Sequence, residues 1–125
     1  MNLEAWVLCA LLAVQIVFQT KIATGAPYGH ISYGGKYKGT LPKNYRIVSA
    51  MSVFVYLFFI SVVLSYSSDL SIYPEALSRT VLWVMVVFFV LGTLANGASR
   101  SKPERWWVLY TVTSLIFTLL VLDIL

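Results

Sequence analysis

Four mostly apolar stretches, each about as long as a bilayer is thick, dominate this chain: Leu3 to about Gln19, Ile47 to about Tyr66, Thr80 to about Ala98, and Trp106 to Leu125. A helix crossing the hydrocarbon core needs about 20 such residues, and lipid offers no partner for a free backbone N–H or C=O. All four prolines (Pro27, Pro42, Pro74 and Pro103) fall between the stretches, where a missing N–H breaks no helical ladder. Composition agrees: 59% of the 125 residues are hydrophobic, 11% are charged, and mean hydropathy is +0.81. A water-soluble 14.0 kDa domain cannot bury that much apolar side chain. The sequence therefore predicts one domain over residues 1–125, an all-α integral membrane four-helix bundle. Glu4 is the only charge before Lys21, so the first stretch lacks the basic start of a signal peptide and reads as a retained span.

Charge sets the orientation. The loops after the first and third spans lie on one side and hold Lys21, Lys36, Lys38, Lys43 and Arg46, then Arg100, Lys102 and Arg105; the other side has only Arg79. The positive-inside rule makes those loops cytoplasmic and both termini extracytoplasmic. The formal net charge of +4 is thus a topology signal, and no nucleic-acid partner is expected. Trp106, Trp107 and Tyr110 near one interface, with Trp6, Tyr66, Tyr73 and Trp83 near the other, read as aromatic belts.

Few residues are available for chemistry. With one cysteine, Cys9, and one histidine, His30, the chain has no disulfide, no thiol redox pair and no Cys/His metal set. No Asp, Glu, Lys, Arg or His stands at the middle of a span, which disfavours ion-coupled transport. No nucleophile–base pair is apparent, so no enzyme activity and no cofactor is expected. Polar faces remain. Ala5, Cys9 and Ala13 form a small-residue stripe suited to close helix packing. Gln15 and Gln19 share a neighbouring stripe with Glu4. Thr111, Ser114 and Thr118 recur at i, i+3 and i+7 in the fourth span, Ser49, Ser52 and Tyr56 share a face of the second, and Asn96 closes the third. These groups either bond within the protein or line a wet path; with Gln15, Gln19 and Asn96, the Thr111–Ser114–Thr118 face is the candidate pore lining.

The inner side holds the least ordinary sequence. Between Thr20 and Asn44 lie five of the seven glycines, interleaved with Tyr28, Tyr33 and Tyr37 and with Lys36, Lys38 and Lys43. Such a loop is either a flexible interfacial connection or an anion site, since glycine turns can aim successive N–H groups at an anion and lysines favour anionic lipid. In the second inner segment, Asn96, Ser99, Ser101 and Glu104 form a candidate polar knot between the inner ends of spans two, three and four. Glu104 is expected to pair with Arg100, Lys102 or Arg105, or with Arg46.

Ala26-Pro27-Tyr28-Gly29, Gly34-Gly35-Lys36, Leu41-Pro42 and Arg46, followed by Asn96, Ser99-Arg100-Ser101 and Glu104-Arg105, resemble the pattern of a group of small bacterial four-helix membrane proteins of the domain-of-unknown-function type. His30 stands where that pattern commonly has an acid, Tyr33 where it has tryptophan, and no proline follows Trp107. The resemblance implies fold, orientation and a bacterial plasma membrane, and no activity.

Two functions fit these features. The first is a non-catalytic membrane protein whose basic inner face (Lys36, Lys38, Lys43, Arg46, Arg100 and Arg105) binds anionic lipid headgroups or a partner membrane protein. The second is a small homo-oligomeric channel or facilitator for ions or small solutes, lined by the polar stripes.

Overall fold

The computed structural model describes all residues from Met1 to Leu125. It is helical throughout, with α1 over Leu3–Ala23, α2 over Lys43–Ser67, α3 over Glu75–Gly97, a single-turn α4 over Lys102–Arg105 and α5 over Trp107–Val121. Two single-turn 3₁₀ helices, Gly29–Ile31 and Tyr33–Gly35, interrupt the long α1–α2 loop.

Helices α1, α2 and α3, of 21, 25 and 23 residues, are each long and apolar enough to cross a membrane. α2 and α3 start about a turn before their apolar stretches. Hydropathy marks where the sequence is apolar, whereas the hydrogen-bond ladder runs on into polar sequence. α5 departs the other way: the expected span over 106–125 is a helix of 15 residues, about 22 Å long. At its start, Trp106 N–H donates to Pro103 O at 3.3 Å, a tight 3₁₀-type turn that separates α4 from α5. At its end, Asp123 adopts φ 61°. Asp123 N–H there donates to Leu120 O, and Ile124 N–H to Leu119 O, the crossed pair of bonds that closes a helix.

The four long helices pack as a ring, α1 against α2 and α5, and α3 against α2 and α5, with the α1/α2 and α3/α5 seams the most extensive. Leu8 and Leu12 of α1, Val62 and Val63 of α2, Leu82 and Met85 of α3, and Val121 of α5 form the core. Only 24 of the 125 residues are buried, while Met51, Phe54, Val84, Leu91, Leu94 and Leu109 face outward. That belt exceeds what a soluble monomer leaves in water. On α1 the inward line is Ala5, Leu8, Leu12 and Gln15, not the small-residue stripe: Cys9 is half-buried and Ala13 is exposed. α1 faces two neighbours, and leucines fill the space between them.

The ends of the ring are tied differently. At the end holding the α2–α3 turn, Tyr73 N–H donates to Ser65 Oγ at 2.9 Å, the Tyr73 and Ser61 hydroxyls bond at 2.9 Å, and Arg79 Nη1 donates to Tyr66 OH at 2.9 Å. Tyr66 and Tyr73 thus belong to the turn, whereas Trp6 and Trp83 are exposed. At the opposite end α1 closes through Gly25 N–H to Ile22 O and Ala26 N–H to Lys21 O. Arg46 Nε, reaching across from α2, donates to Ala23 O at 3.2 Å, a cation at the negative end of the α1 dipole. Replacing Arg46 with alanine should cost about 1–2 kcal/mol, read as a lower unfolding midpoint in detergent. An unchanged midpoint would mean the contact contributes nothing.

Candidate functional site

The glycine-rich loop folds back onto the helices. Gly29 N–H donates to Gly39 O at 2.9 Å, and a Cβ on Gly29 would stand 2.1 Å from Tyr37 O, so only glycine fits this pinch. Tyr28 stacks on Phe18 of α1 with ring centroids 5.6 Å apart, and Tyr33 and Tyr37 pack against Tyr45 of α2 at 4.9 and 5.4 Å. The Tyr33 hydroxyl bonds Ser49 Oγ at 2.8 Å. The tyrosines that suit a membrane surface are turned toward the protein.

The loop is latched to the α3–α5 link by Glu104. Gly34 N–H donates to its carboxylate, 3.0 Å from Oε1 and 3.3 Å from Oε2. Ser101 Oγ donates to His30 O and accepts Glu104 N–H at 3.2 Å, and Ser99 Oγ accepts Ser101 N–H at 3.1 Å. Gly35 has φ +71°, and a Cβ there would stand 2.5 Å from Ser101 Cβ. This departs from the expected pairing of Glu104 with a neighbouring cation or with Arg46. The reason is local: the Ser101 cap opens the one-turn α4 so that Glu104, 7% exposed, points inward while Arg100, Lys102 and Arg105 point outward. The knot therefore joins the long loop to α4 rather than the inner ends of α2, α3 and α5. Asn96 stands apart from it, donating through Nδ2 to Gly92 O at 2.8 Å. The Gly34 N–H, which a glycine nest would offer to an external anion, is occupied by the protein's own carboxylate.

Beneath the loop lies a cavity of about 260 Å³. Four of the six candidate pore-lining residues line it, Gln15, Gln19, Asn96 and Thr111, together with Ser52 and Tyr56 of the α2 polar face. Gln19 Nε2 donates to Gln15 Oε1 at 3.3 Å, but Gln19 Oε1 is buried with no partner. Thr93 Oγ1 donates to Thr111 Oγ1 at 2.9 Å. Ser114 and Thr118 do not reach the cavity. Both are fully buried in the core, and Thr118 Oγ1 donates to Ser114 O at 2.7 Å. The expected polar stripe of α5 thus divides, its first member at the cavity and its other two in packed protein. Val48 on α2 and Phe88 on α3 line the cavity and are themselves exposed, so its mouth falls in the seam between those helices.

Sequence reasoning missed most of the aromatic lining: Phe18, Tyr33, Phe88, Phe89, Trp107 and Tyr110. The Trp107 ring lies 4.8 Å from Phe18 and 5.4 Å from Tyr110, which takes both Trp107 and Tyr110 out of the expected belt and leaves Trp106 exposed. The available signal was helical spacing. Gln15, Phe18 and Gln19 stand at i, i+3 and i+4, as do Trp107, Tyr110 and Thr111, so each polar residue marked a face that also carried rings.

The basic candidates lie outside the cavity. Lys36, Lys38, Lys43, Arg100 and Arg105 are exposed, and Arg46 is half-buried in its bond to α1. No Lys or Arg lines the cavity, and Glu104 is its one charged group. No family model, curated protein or solved structure matches the chain.

Glu104→Ala should free the Gly34 N–H and speed its amide exchange by at least about tenfold, followed by hydrogen–deuterium exchange in detergent. Glu104→Gln keeps an acceptor oxygen and should exchange near the parent rate. Equal rates in all three proteins would remove the latch.

Proposed function

We propose that this chain is a non-catalytic integral membrane protein of four spanning helices, with both termini extracytoplasmic, whose basic inner end binds anionic lipid headgroups. One observation carries the reading. Hydrogen bonds from Gly34 to Glu104 and from Ser101 to His30 join two basic segments about 70 residues apart into one surface. Lys36, Lys38 and Lys43 stand on one part of it, and Arg100, Lys102 and Arg105 on the other. Each exposed cation near an anionic bilayer is worth about 1 kcal/mol. Trp106, 72% exposed beside Arg105 and Leu109, suits the boundary between headgroup and acyl chain. α5, with the turns at its two ends, supplies the fourth crossing.

The inner location of this end rests on the charge bias, and the bacterial plasma membrane on the resemblance of the loop and link residues. A homo-oligomeric channel is the weaker reading, because Ser114 and Thr118 are fully buried inside the protomer and Leu8, Val62, Val63, Leu82 and Met85 are fully buried in a packed core.

Native mass spectrometry of protein released from mixed micelles should find phosphatidylglycerol retained over a zwitterionic lipid. Changing Lys36, Lys38, Lys43, Arg100 and Arg105 to glutamine should abolish that preference with the unfolding midpoint intact. Preference unchanged by the five substitutions would sink the headgroup reading and leave those cations to a partner protein. Alkaline phosphatase fused after Leu125 should be active, as an extracytoplasmic C-terminus requires; an inactive fusion would reverse the orientation.

A further inference from the structure

We infer that the cavity beneath the glycine-rich loop is a binding site for a small organic cation bearing an ammonium group. This goes beyond headgroup binding and uses none of the exposed basic residues. The cavity's one charged group is the Glu104 carboxylate, and no Lys or Arg contributes to the lining. That carboxylate receives a single main-chain donor, shared between its two oxygens. A carboxylate has about four lone-pair positions, so Glu104 keeps capacity for a further donor.

A second, independent observation also asks for a donor. Gln19 Oε1 is a buried acceptor without a partner on the α1 side of the same cavity. An unsatisfied buried acceptor costs about 1–3 kcal/mol, and a turn of the Gln19 amide toward the cavity would let an N–H of a bound ligand relieve it. The remaining walls suit a cation as well. Phe18, Trp107 and Tyr110 form a connected aromatic cluster on one side, with neighbouring centroids 4.8 and 5.4 Å apart. On the other side Tyr56 sits with its centroid 5.9 Å from Phe88. Ring faces attract ammonium groups, the more so away from water. An anion would meet Glu104 and ring faces with no cation to hold it. A neutral apolar solute would leave the Gln19 acceptor unpaired. At about 260 Å³ the space admits an alkylammonium and excludes drug-sized molecules.

The mouth between α2 and α3 opens at Val48 and Phe88, so the ammonium can belong to a free solute or to a lipid headgroup entering sideways. The recognised chemistry is the same.

Trp107 is the only tryptophan lining the cavity, which supplies the readout. With Trp6→Phe, Trp83→Phe and Trp106→Phe, all at exposed positions, the protein in dodecyl maltoside reports through Trp107 alone. Butylammonium chloride and tetramethylammonium chloride should each give a saturable change in emission; 1-pentanol and sodium or potassium chloride should not. Glu104→Gln should weaken alkylammonium binding by at least about tenfold, and Gln19→Glu should strengthen it several-fold. The Lys/Arg-to-Gln variant of the basic face should bind as the parent does, which separates failure here from failure of the headgroup reading. Displacement by phosphatidylethanolamine would assign the ammonium to lipid, and its absence to a solute; either result retains the site. No saturable response to either ammonium salt, an equal response to pentanol or sodium chloride, or undiminished affinity in a folded Glu104→Gln protein would overturn the inference. Should Glu104→Gln fail to fold, the Gln19→Glu gain and the pentanol comparison decide it.

Discussion

A carboxylate taken out of water must find hydrogen-bond donors, and the way Glu104 finds one organises half of this protein. Its donor is the Gly34 N–H, presented by a loop that can turn sharply because it carries glycines at positions 34 and 35. Ser101 reinforces the junction by capping the one-turn helix on which Glu104 stands and by bonding His30 O. The result is a cross-link between the α1–α2 loop and the α3–α5 link. Without it the long loop would be held down only by aromatic stacking and the Tyr33–Ser49 hydrogen bond. A buried, charge-assisted bond of this kind is worth more than a surface ion pair.

The cross-link matters because the two ends of the helix ring are built on different principles. At the α2–α3 end a short turn closes over the packed core, and Ser61, Ser65 and Tyr73 satisfy one another. At the other end α1/α2 and α3/α5 are less completely filled, and a cavity lies between them. An open end needs ties that do not depend on packing. The Arg46 bond to the α1 terminus supplies one, and the Glu104 latch another.

Charge is segregated across this junction. Within the stretch Arg100–Arg105, three cations face outward and the single anion faces inward. One short segment thus presents a basic exterior and an acidic interior, which couples the two proposed roles in space without making either depend on the other. In the proposed roles an anionic headgroup would meet lysines and arginines outside, and a donor entering the cavity would meet a carboxylate and aromatic side chains.

The helical class and the three long apolar helices α1, α2 and α3 could be read from the residues, because an apolar stretch of that length satisfies its backbone locally as a helix and prolines mark its breaks. Polar positions such as Gln15, Gln19, Asn96 and Thr111 stood out for the same reason: a polar side chain in an apolar helix has to be accounted for. The sequence alone did not decide what those groups met. Whether Thr111 lines a cavity while Ser114 and Thr118 enter the core depends on where neighbouring helices part. Whether Glu104 meets an arginine three residues away or a glycine 70 residues away depends on the direction α4 turns it. Local pattern determines which residues need partners. Only the tertiary arrangement selects the partners, because the competing donors are close in sequence while the successful one is brought near by the fold.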